Sequence, residues 1–240
     1  MANYLKAELL KQKHSFNKKI IWLVPVVNII IACALMGVNY IQTASYNWWY
    51  VSFLPFTFTY VSSSIINKDK KFNFHGLFGI AEDKKQLWYA KILTSTIYLF
   101  IACFIFLALI TVCGFIFNEQ ISILDNLCAS VLLFITFAWQ IPLFMFITLK
   151  INMFFSVLLS VGCNLFIACI CAVESYWWIP FSIPARVMCP VIKVLPNGLL
   201  MPMDSLLDNN NVIWIGVLIT VTLYTLISVV TAKIFEKQEV

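Results

Sequence analysis

Charge is scarce in this chain, and several familiar chemical motifs are missing. Only 11% of the 240 residues are charged, whereas a soluble domain carries roughly a quarter. The seven glycines are scattered singly, so no glycine-rich phosphate loop of the G-x-x-x-x-G-K-[ST] or G-x-G-x-x-G kind can be built. H-E-x-x-H and G-x-S-x-G are also absent, and the two histidines, His14 and His75, have no nucleophile beside them. The chain is therefore not expected to be an enzyme, or to hold a metal or cofactor of its own.

Apolar residues dominate instead. They make up 62% of the chain, aromatic residues make up 16%, and the mean hydropathy is +0.90. A soluble fold of this length cannot bury so much apolar surface, so lipid must be the solvent for much of the chain. Seven of the eight cysteines lie in or beside apolar runs, where a thiol behaves as a small hydrophobic group. The composition predicts an all-α membrane protein.

Six apolar runs are long enough to cross a bilayer, which takes about 20 helical residues. The predicted spans are Ile20–Tyr40, Trp48–Ile66, Ile92–Phe117, Leu127–Leu149, Ile151–Ser175 and Val212–Ile234. Little more than Lys150 separates the fourth span from the fifth, so we expect a very tight turn there. The remaining segments are 1–19, 67–91 and 176–211, and the whole chain, 1–240, forms one transmembrane domain.

Basic residues are divided unequally between the two sides of these spans. Fourteen of the sixteen lysines and arginines fall on one side, and only Arg186 and Lys193 fall on the other. Because cytoplasmic segments retain positive charge, both termini are predicted to be cytoplasmic in a multi-pass protein of the cell membrane. The spans themselves contain no Asp, Glu, Lys or Arg away from their ends, which argues against an ion-coupled carrier.

Two cytoplasmic segments carry more apolar residues than a solvated segment needs. Segment 1–19 alternates leucines and aromatic residues with lysines, which favours an amphipathic helix at the membrane interface over a merely solvated basic leader. Segment 67–91 mixes large apolar residues with charges and is predicted to be a docking surface. The candidate residues for coupling to an ATPase are Phe72, Phe74, Leu77, Phe78, Leu87 and Trp88.

The third segment, 176–211, follows the fifth span and includes five of the eight prolines, yet it remains apolar. Irregular backbone cannot face lipid, so short helices should fold over the outer mouth or dip back between the spans. This segment is either a passive lid or an outer gate. The candidate gate or substrate residues are Glu174, Trp177, Trp178, Pro184, Arg186, Pro196, Asn197, Asp204 and Asp208.

Polar side chains within the spans have two interpretations. They either hydrogen-bond from helix to helix, or, for Gln140 and Asn164, line a route for a substrate. The sequence alone leaves both open.

Three stretches together resemble one family. A basic leader ending in KKIIW, a lysine-rich loop ending in WYAKI, and the outer run WWIPFSIPARVMCPVIKVLPNGL are similar to the ABC-2 type permeases of lantibiotic immunity, the MutE/EpiE group. The resemblance covers essentially the whole chain, and IPFSIPAR followed by LPNG is its most specific part.

The resemblance implies the ABCG-like exporter half, with an N-terminal amphipathic helix, six spans, a coupling helix and re-entrant helices before the last span. In this chain those features correspond to Ala2–Phe16, Asn67–Lys91 and Trp178–Leu200. It also implies a separate ATPase dimer that carries ATP and magnesium, a second related permease as heterodimer or homodimer partner, and expulsion of lantibiotic peptides for immunity or resistance. The alternatives are a permease for another amphiphile, such as bacitracin or a lipid, and a non-transporting module that senses or sequesters peptide.

Overall fold

The computed structural model describes residues 1–13, 15–71, 74, 83–117, 119–202 and 205–237. Within them the chain forms ten α-helices. They are α1 Ala2–Lys11, α2 Asn17–Met36, α3 Ile41–Trp48, α4 Leu54–Lys70, α5 Lys84–Ile116, α6 Ile123–Ala138, α7 Gln140–Lys150, α8 Met153–Cys171, α9 Ile183–Ile192 and α10 Asn211–Glu236. Five helical segments are long and apolar enough to cross a membrane: α2, α5, α6 with α7, α8 and α10. The all-helical membrane character predicted from composition is confirmed.

The burial pattern of α8 identifies the surrounding medium. Its buried residues are Ser156, Ser160, Asn164 and Ala168, one every fourth position, whereas Phe154 is 78% exposed. A helix in water would bury its phenylalanine and expose its serines. Polar groups inside and large apolar groups outside are what a helix bundle in lipid requires.

The segment of the predicted span Trp48–Ile66 lies inside the bundle and is not among the five. Residues Ile41–Lys70 form one continuous rod from α3, a π-helical turn at Trp49–Phe53 and α4. Pro55 has no N–H to donate to the carbonyl of Val51, which explains why the helical register changes at this point. The rod is cut into pieces shorter than a membrane span, although its total length is thirty residues.

The rod is also the most polar long segment, because it packs against other helices rather than lipid. Thr59 bonds Ser160 of α8 at 2.8 Å, and Ser63 bonds Thr148 of α7 at 2.6 Å. Trp49 stacks on Phe106 of α5 with 4.6 Å between ring centroids. The rod is therefore the centre of the bundle.

The turn between α7 and α8 is as tight as the sequence predicts. Only Ile151 and Asn152 separate the two helices, and the Asn152 side chain accepts a hydrogen bond from the Phe155 N–H at 2.7 Å, which caps α8. Lys70 donates to the carbonyls of Thr148 and Ile151, which satisfies the end of α7.

Both described chain ends meet at one end of the bundle, which we call the basic end. The Met1 amino group donates to Gln86 at 2.6 Å, and Lys85 at the start of α5 pairs with Glu236 at the end of α10. At the opposite end, the Gln42 side chain of α3 accepts from the backbone of Gln120 and Ile121.

Helix α9 lies buried at that opposite end, packed against α6, α8 and α10. Nine of its ten residues are buried. Gly216 of α10 makes room for it, because a Cβ there would lie 2.8 Å from a methyl of Ile183. The helix ends where Lys193 adopts a left-handed conformation, with φ of 55°.

Candidate coupling and outer-gate sites

Three of the six predicted coupling residues are described, and all three are buried. Phe74, Leu87 and Trp88 are 5%, 2% and 0% exposed. Phe72, Leu77 and Phe78 lie outside the described residues. The helices also extend into the predicted loop from both sides, since Asn67–Lys70 belongs to α4 and Lys84–Lys91 to α5. The described coupling residues thus pack on the chain's own helices, and can act on a partner only through them.

An aromatic cluster ties this region to the last helix. Trp88 stacks on Phe235 with 4.6 Å between ring centroids, and Phe74 meets the same ring edge-on at 5.9 Å. The Trp88 indole N–H donates to the Thr231 hydroxyl at 3.0 Å. A displacement of the start of α5 must therefore move the end of α10.

A ring of four charges lies beside the aromatic cluster. Glu8 accepts from Lys91 at 2.9 Å and from Lys11 at 2.8 Å. Asp69 accepts from Lys11 at 3.2 Å and, through its second oxygen, from Lys91. The Lys91 side chain is 0% exposed and that of Glu8 is 1% exposed. Two acids and two bases cancel, which is the condition for burying them.

Sequence reasoning missed this charge ring. It placed Asp69 and Lys91 in the cytoplasmic docking segment 67–91, whereas α4 and α5 carry both residues into the packed part of the bundle. One signal was present: Lys91 sits between Ala90 and Ile92, at the start of an apolar run. The acidic partners had no local signal, because Glu8 is 83 positions away from Lys91.

The bonds of the charge ring hold helix α1 across the start of α5 and the end of α4. Its buried positions are Glu8 and the adjoining Gln12, while Leu10 is 60% exposed. The face turned to the bundle therefore combines these polar residues with the half-buried Tyr4 and Leu5, whereas Leu9 and Leu10 point outward. Gln12 itself accepts from Lys68 at 2.9 Å and from Asn17 at 3.0 Å.

Two titratable groups outside the spans respond to this packing. Burial alone would lower the pKa of Lys11, but attraction and hydrogen bonds from Glu8 and Asp69 outweigh burial and raise that pKa above 10.5. The Gln86 backbone N–H, which donates to Asp83 at 3.0 Å, lowers the pKa of Asp83 below 3.8. Asp83 thereby caps the N-terminus of α5 as a carboxylate.

The predicted outer-gate residues divide into buried and exposed groups. Pro184, Arg186 and Pro196 are buried, and Trp177 is half-buried. Glu174, Trp178, Asn197 and Asp208 are exposed, and Asp204 lies outside the described residues. Asp208 forms an ion pair with Lys193 at 2.5 Å, so its charge is largely neutralised.

Arg186 is the buried charge of the outer segment. It is 5% exposed, and one guanidinium nitrogen donates to the Leu207 carbonyl at 2.8 Å. Its Nε has no hydrogen-bond partner within the described part of the chain. The contact fixes the stretch before α10 against α9.

Asn47 joins the outer segment to the central rod. Its amide donates to the Pro196 carbonyl at 2.8 Å and to the Tyr50 hydroxyl at 2.9 Å. Gly198 closes over the same asparagine with φ of 86°, where a Cβ would lie 3.3 Å from the Asn47 side chain. The rod thus touches the outer segment through Asn47 and the charge ring through Asp69. Twenty-two helical residues separate these positions, which corresponds to about 33 Å.

The Gln140 and Asn164 amides bond each other rather than facing an open route. The two bonds measure 3.0 and 2.8 Å, and both side chains are buried. Asn164 also donates to the Ser160 carbonyl at 2.8 Å. Of the two interpretations from the sequence, the structure favours hydrogen bonding between helices.

Comparison of the chain with protein-family models, with curated proteins and with solved structures finds no match. The family resemblance therefore depends on the quoted sequence stretches alone.

Proposed function

We propose that the chain is the permease subunit of an ABC exporter that expels lantibiotic or other antimicrobial peptides from the membrane. In this proposal the rod Ile41–Lys70 also crosses the membrane, which gives six passes in total, and both termini are cytoplasmic. A separate ATPase dimer carries ATP and magnesium, and a second related permease completes the pathway. The chain then contributes a transport path and no catalytic group.

The observation that carries the proposal is the continuous rod between the two candidate sites. Asp69 at one end belongs to the buried charge ring, and Asn47 near the other holds the outer segment through Pro196. An exporter driven from the cytoplasm needs such a connection, because work done at the motor must reach the outer side of the membrane. The π-helical turn at Trp49–Phe53 provides a point at which the rod can change its bend.

The proposed conformational change starts at the basic end. Closure of the ATPase dimer pushes on the segment between α4 and α5, and the charge ring and aromatic cluster carry that displacement to α1, the rod and α10. The rod then repositions the outer segment around α9. The ATPase can drive this change only by binding the two permease conformations with different affinities.

Charge distribution supports the proposed orientation. The basic end collects both described chain ends and the helix ends that carry most of the lysines, whereas Arg186 and Lys193 lie at the opposite end. Cytoplasmic ends retain positive charge, so the basic end is placed in the cytoplasm.

In this proposal the acidic gate candidates attract cationic peptides from the outer side, and the structure reduces the number of acids that can do so. Asp208 is paired with Lys193, whereas Glu174 is exposed and has no ion pair with any described residue. Of the three acidic gate candidates, Glu174 is therefore the described carboxylate that is left available to a cationic peptide.

The test combines binding and stimulation of the motor. The chain is co-expressed and co-purified with a candidate ABC ATPase from the same genome and reconstituted in liposomes, and ATP hydrolysis is measured with and without a lantibiotic. We expect peptide to stimulate hydrolysis. Stimulation by bacitracin alone would identify a different amphiphile as cargo, and failure of the ATPase to bind would leave the non-transporting module.

The coupling step is tested by Trp88→Phe, which keeps an aromatic ring beside Phe235 but removes the bond to Thr231. We expect peptide-stimulated hydrolysis to fall about fivefold with the ATPase still bound, since such a bond contributes about 1 kcal/mol. Trp139→Phe is the matched control, because Trp139 is equally buried and its indole N–H has no partner among the described residues. Equal effects of the two substitutions would contradict the assigned role of Trp88.

A further inference from the structure

Two adjoining grooves run along the outer face of α2. The first, of about 690 Å³, is lined by Lys18, Lys19, Trp22, Leu23, Val26 and Val27. The second, of about 370 Å³, continues from Leu23 and Val27 to the π-helical turn and α8, and Ser52, Phe53, Phe56 and Val161 line it. Both are open along their outer side, so they are shallow grooves on the surface of α2.

The chemistry of these grooves changes along their length. At one end Lys18 and Lys19 line the groove with their aliphatic stems, so that their exposed ammonium groups lie at its rim, and neither has an ion pair with any described residue. The rest is apolar: Trp22 is 62% exposed and Leu23 is 58% exposed. A ligand that matches both ends has an anionic group attached to a long apolar tail.

We propose that this α2 groove binds an anionic phospholipid, with its phosphate between Lys18 and Lys19 and an acyl chain along Leu23 and Val27 toward the π-helical turn. Lysines at a membrane surface attract anionic headgroups by about 1 kcal/mol each, which is about fivefold in affinity. The π-helical turn shapes the far end, because Ser52 and Phe53 belong to it. Bound lipid would therefore contact the turn that interrupts the central rod.

A second copy of the chain fits the α2 groove less well. Two copies inserted in the same direction are related by an axis along the membrane normal, so α2 residues would meet their equivalents at the same depth. Lys18 and Lys19 would then face the same two lysines of the other copy, and like charges placed together oppose association.

A separate groove on α8 offers a matched control for the α2 groove. The face of α8 forms a groove of about 360 Å³ lined by Phe155, Leu158, Leu159, Gly162, Cys163, Phe166 and Ile167. It is nearly the same size as the inner part of the α2 groove but contains no lysine. Its ligands should show no preference for a charged headgroup.

The experiment is native mass spectrometry of the full chain in detergent, titrated with phosphatidylglycerol or phosphatidylcholine of identical acyl composition. We expect tighter binding of phosphatidylglycerol to the unaltered chain. Lys18→Gln with Lys19→Gln should lower that affinity about 25-fold, to the level of phosphatidylcholine. Val27→Trp, which fills the α2 groove, should reduce binding of both lipids, whereas Leu158→Trp in the α8 groove should leave the preference unchanged.

Equal binding of the two lipids by the unaltered chain would overturn the proposal, as would a preference that survives loss of both lysines. A Val26→Cys variant in liposomes tests whether a second copy of the chain occupies the α2 groove instead of a lipid. Oxidative cross-linking of two copies through that cysteine, absent from the unaltered chain, would show that a protein covers the groove. Because Lys18 and Lys19 are exposed, the glutamine variants are expected to fold, and circular dichroism checks this.

Discussion

The two ends of the bundle are closed by different chemistry. At the basic end, four charges neutralise one another with Lys91 and Glu8 fully buried. At the opposite end, neutral amides of Gln42 and Asn47 bond backbone groups of neighbouring segments. Charged pairs are strong but depend on every member being present, whereas amide contacts are weaker and tolerate small displacements. Under the proposed function, the tightly joined basic end is where force from the ATPase enters, and the more adjustable opposite end is where the transport path opens.

Of the substitutions that test this difference between the two ends, the replacement of Lys91 should reduce the stability of the chain most. Lys91→Met leaves Glu8 and Asp69 sharing a single base, and we expect a loss of about 3–5 kcal/mol in the free energy of unfolding. Lys11→Met leaves the same net charge, but its side chain is 35% exposed, so the loss should be about 1 kcal/mol or less. Thermal unfolding in lipid nanodiscs measures both losses. Similar losses for the two variants would mean that burial of a lysine does not increase its contribution to the stability of the charge ring.

The amide contacts of the opposite end are tested by Gly114→Ala. A Cβ at this position would lie 2.3 Å from the Gln42 side-chain nitrogen, so the amide must shift, and the shift should weaken its bonds to Gln120, Ile121 and the Ile110 carbonyl. We expect a loss of about 1–3 kcal/mol in the same unfolding assay.

Gly162→Ala is the matched control for that substitution. Gly162 also lies within a membrane-length helix, but no atom of the described residues is within 4 Å of its Cβ position. We expect no loss, or a gain of up to about 1 kcal/mol from helix propensity. If both alanines have the same effect, the Gln42 contacts do not hold the opposite end together.

The smallest expected effect is at alkaline pH, at the basic end. Because the pKa of Lys11 is raised in the folded chain, its stabilising contribution is present below 10.5 and is lost as the pH rises through the folded value. The unfolding temperature should therefore fall above pH 10.5 more steeply for the unaltered chain than for Lys11→Arg, which stays charged. Identical pH profiles would show that Lys11 does not hold α1 in place. Lys91 and Lys68 also face this site and are present in both chains, so the comparison of the unaltered chain with Lys11→Arg isolates Lys11.

Local sequence signals predicted much of the fold. Apolar runs located the membrane-length helices, and the short interval at Lys150 predicted the tight turn between α7 and α8. The predicted span Trp48–Ile66 located most of the rod Ile41–Lys70, but the sequence did not predict where the rod begins or why it carries so many threonines and serines. The threonines and serines of the rod are explained by their hydrogen-bond partners on neighbouring helices, such as Ser160 and Thr148.

The candidate sites were predicted less completely. Phe74 and Trp88 were selected as large apolar residues in a charged segment, but composition cannot distinguish a docking surface from a side chain that packs on Phe235 of the same chain. Asp208 was selected for its charge, and its pairing with Lys193 depends on the left-handed turn that ends α9.

By itself the sequence determined the solvent, the helical class and the division of charge, because each follows from composition and from runs of neighbouring residues. The tertiary structure decided which charges are buried, which amides pair and how the two ends are connected. These features join residues far apart in the chain, such as Asn47 with Pro196 across 149 positions. Whether a polar group in lipid is costly or stabilising depends on the partner opposite it, and only the packed bundle supplies that partner.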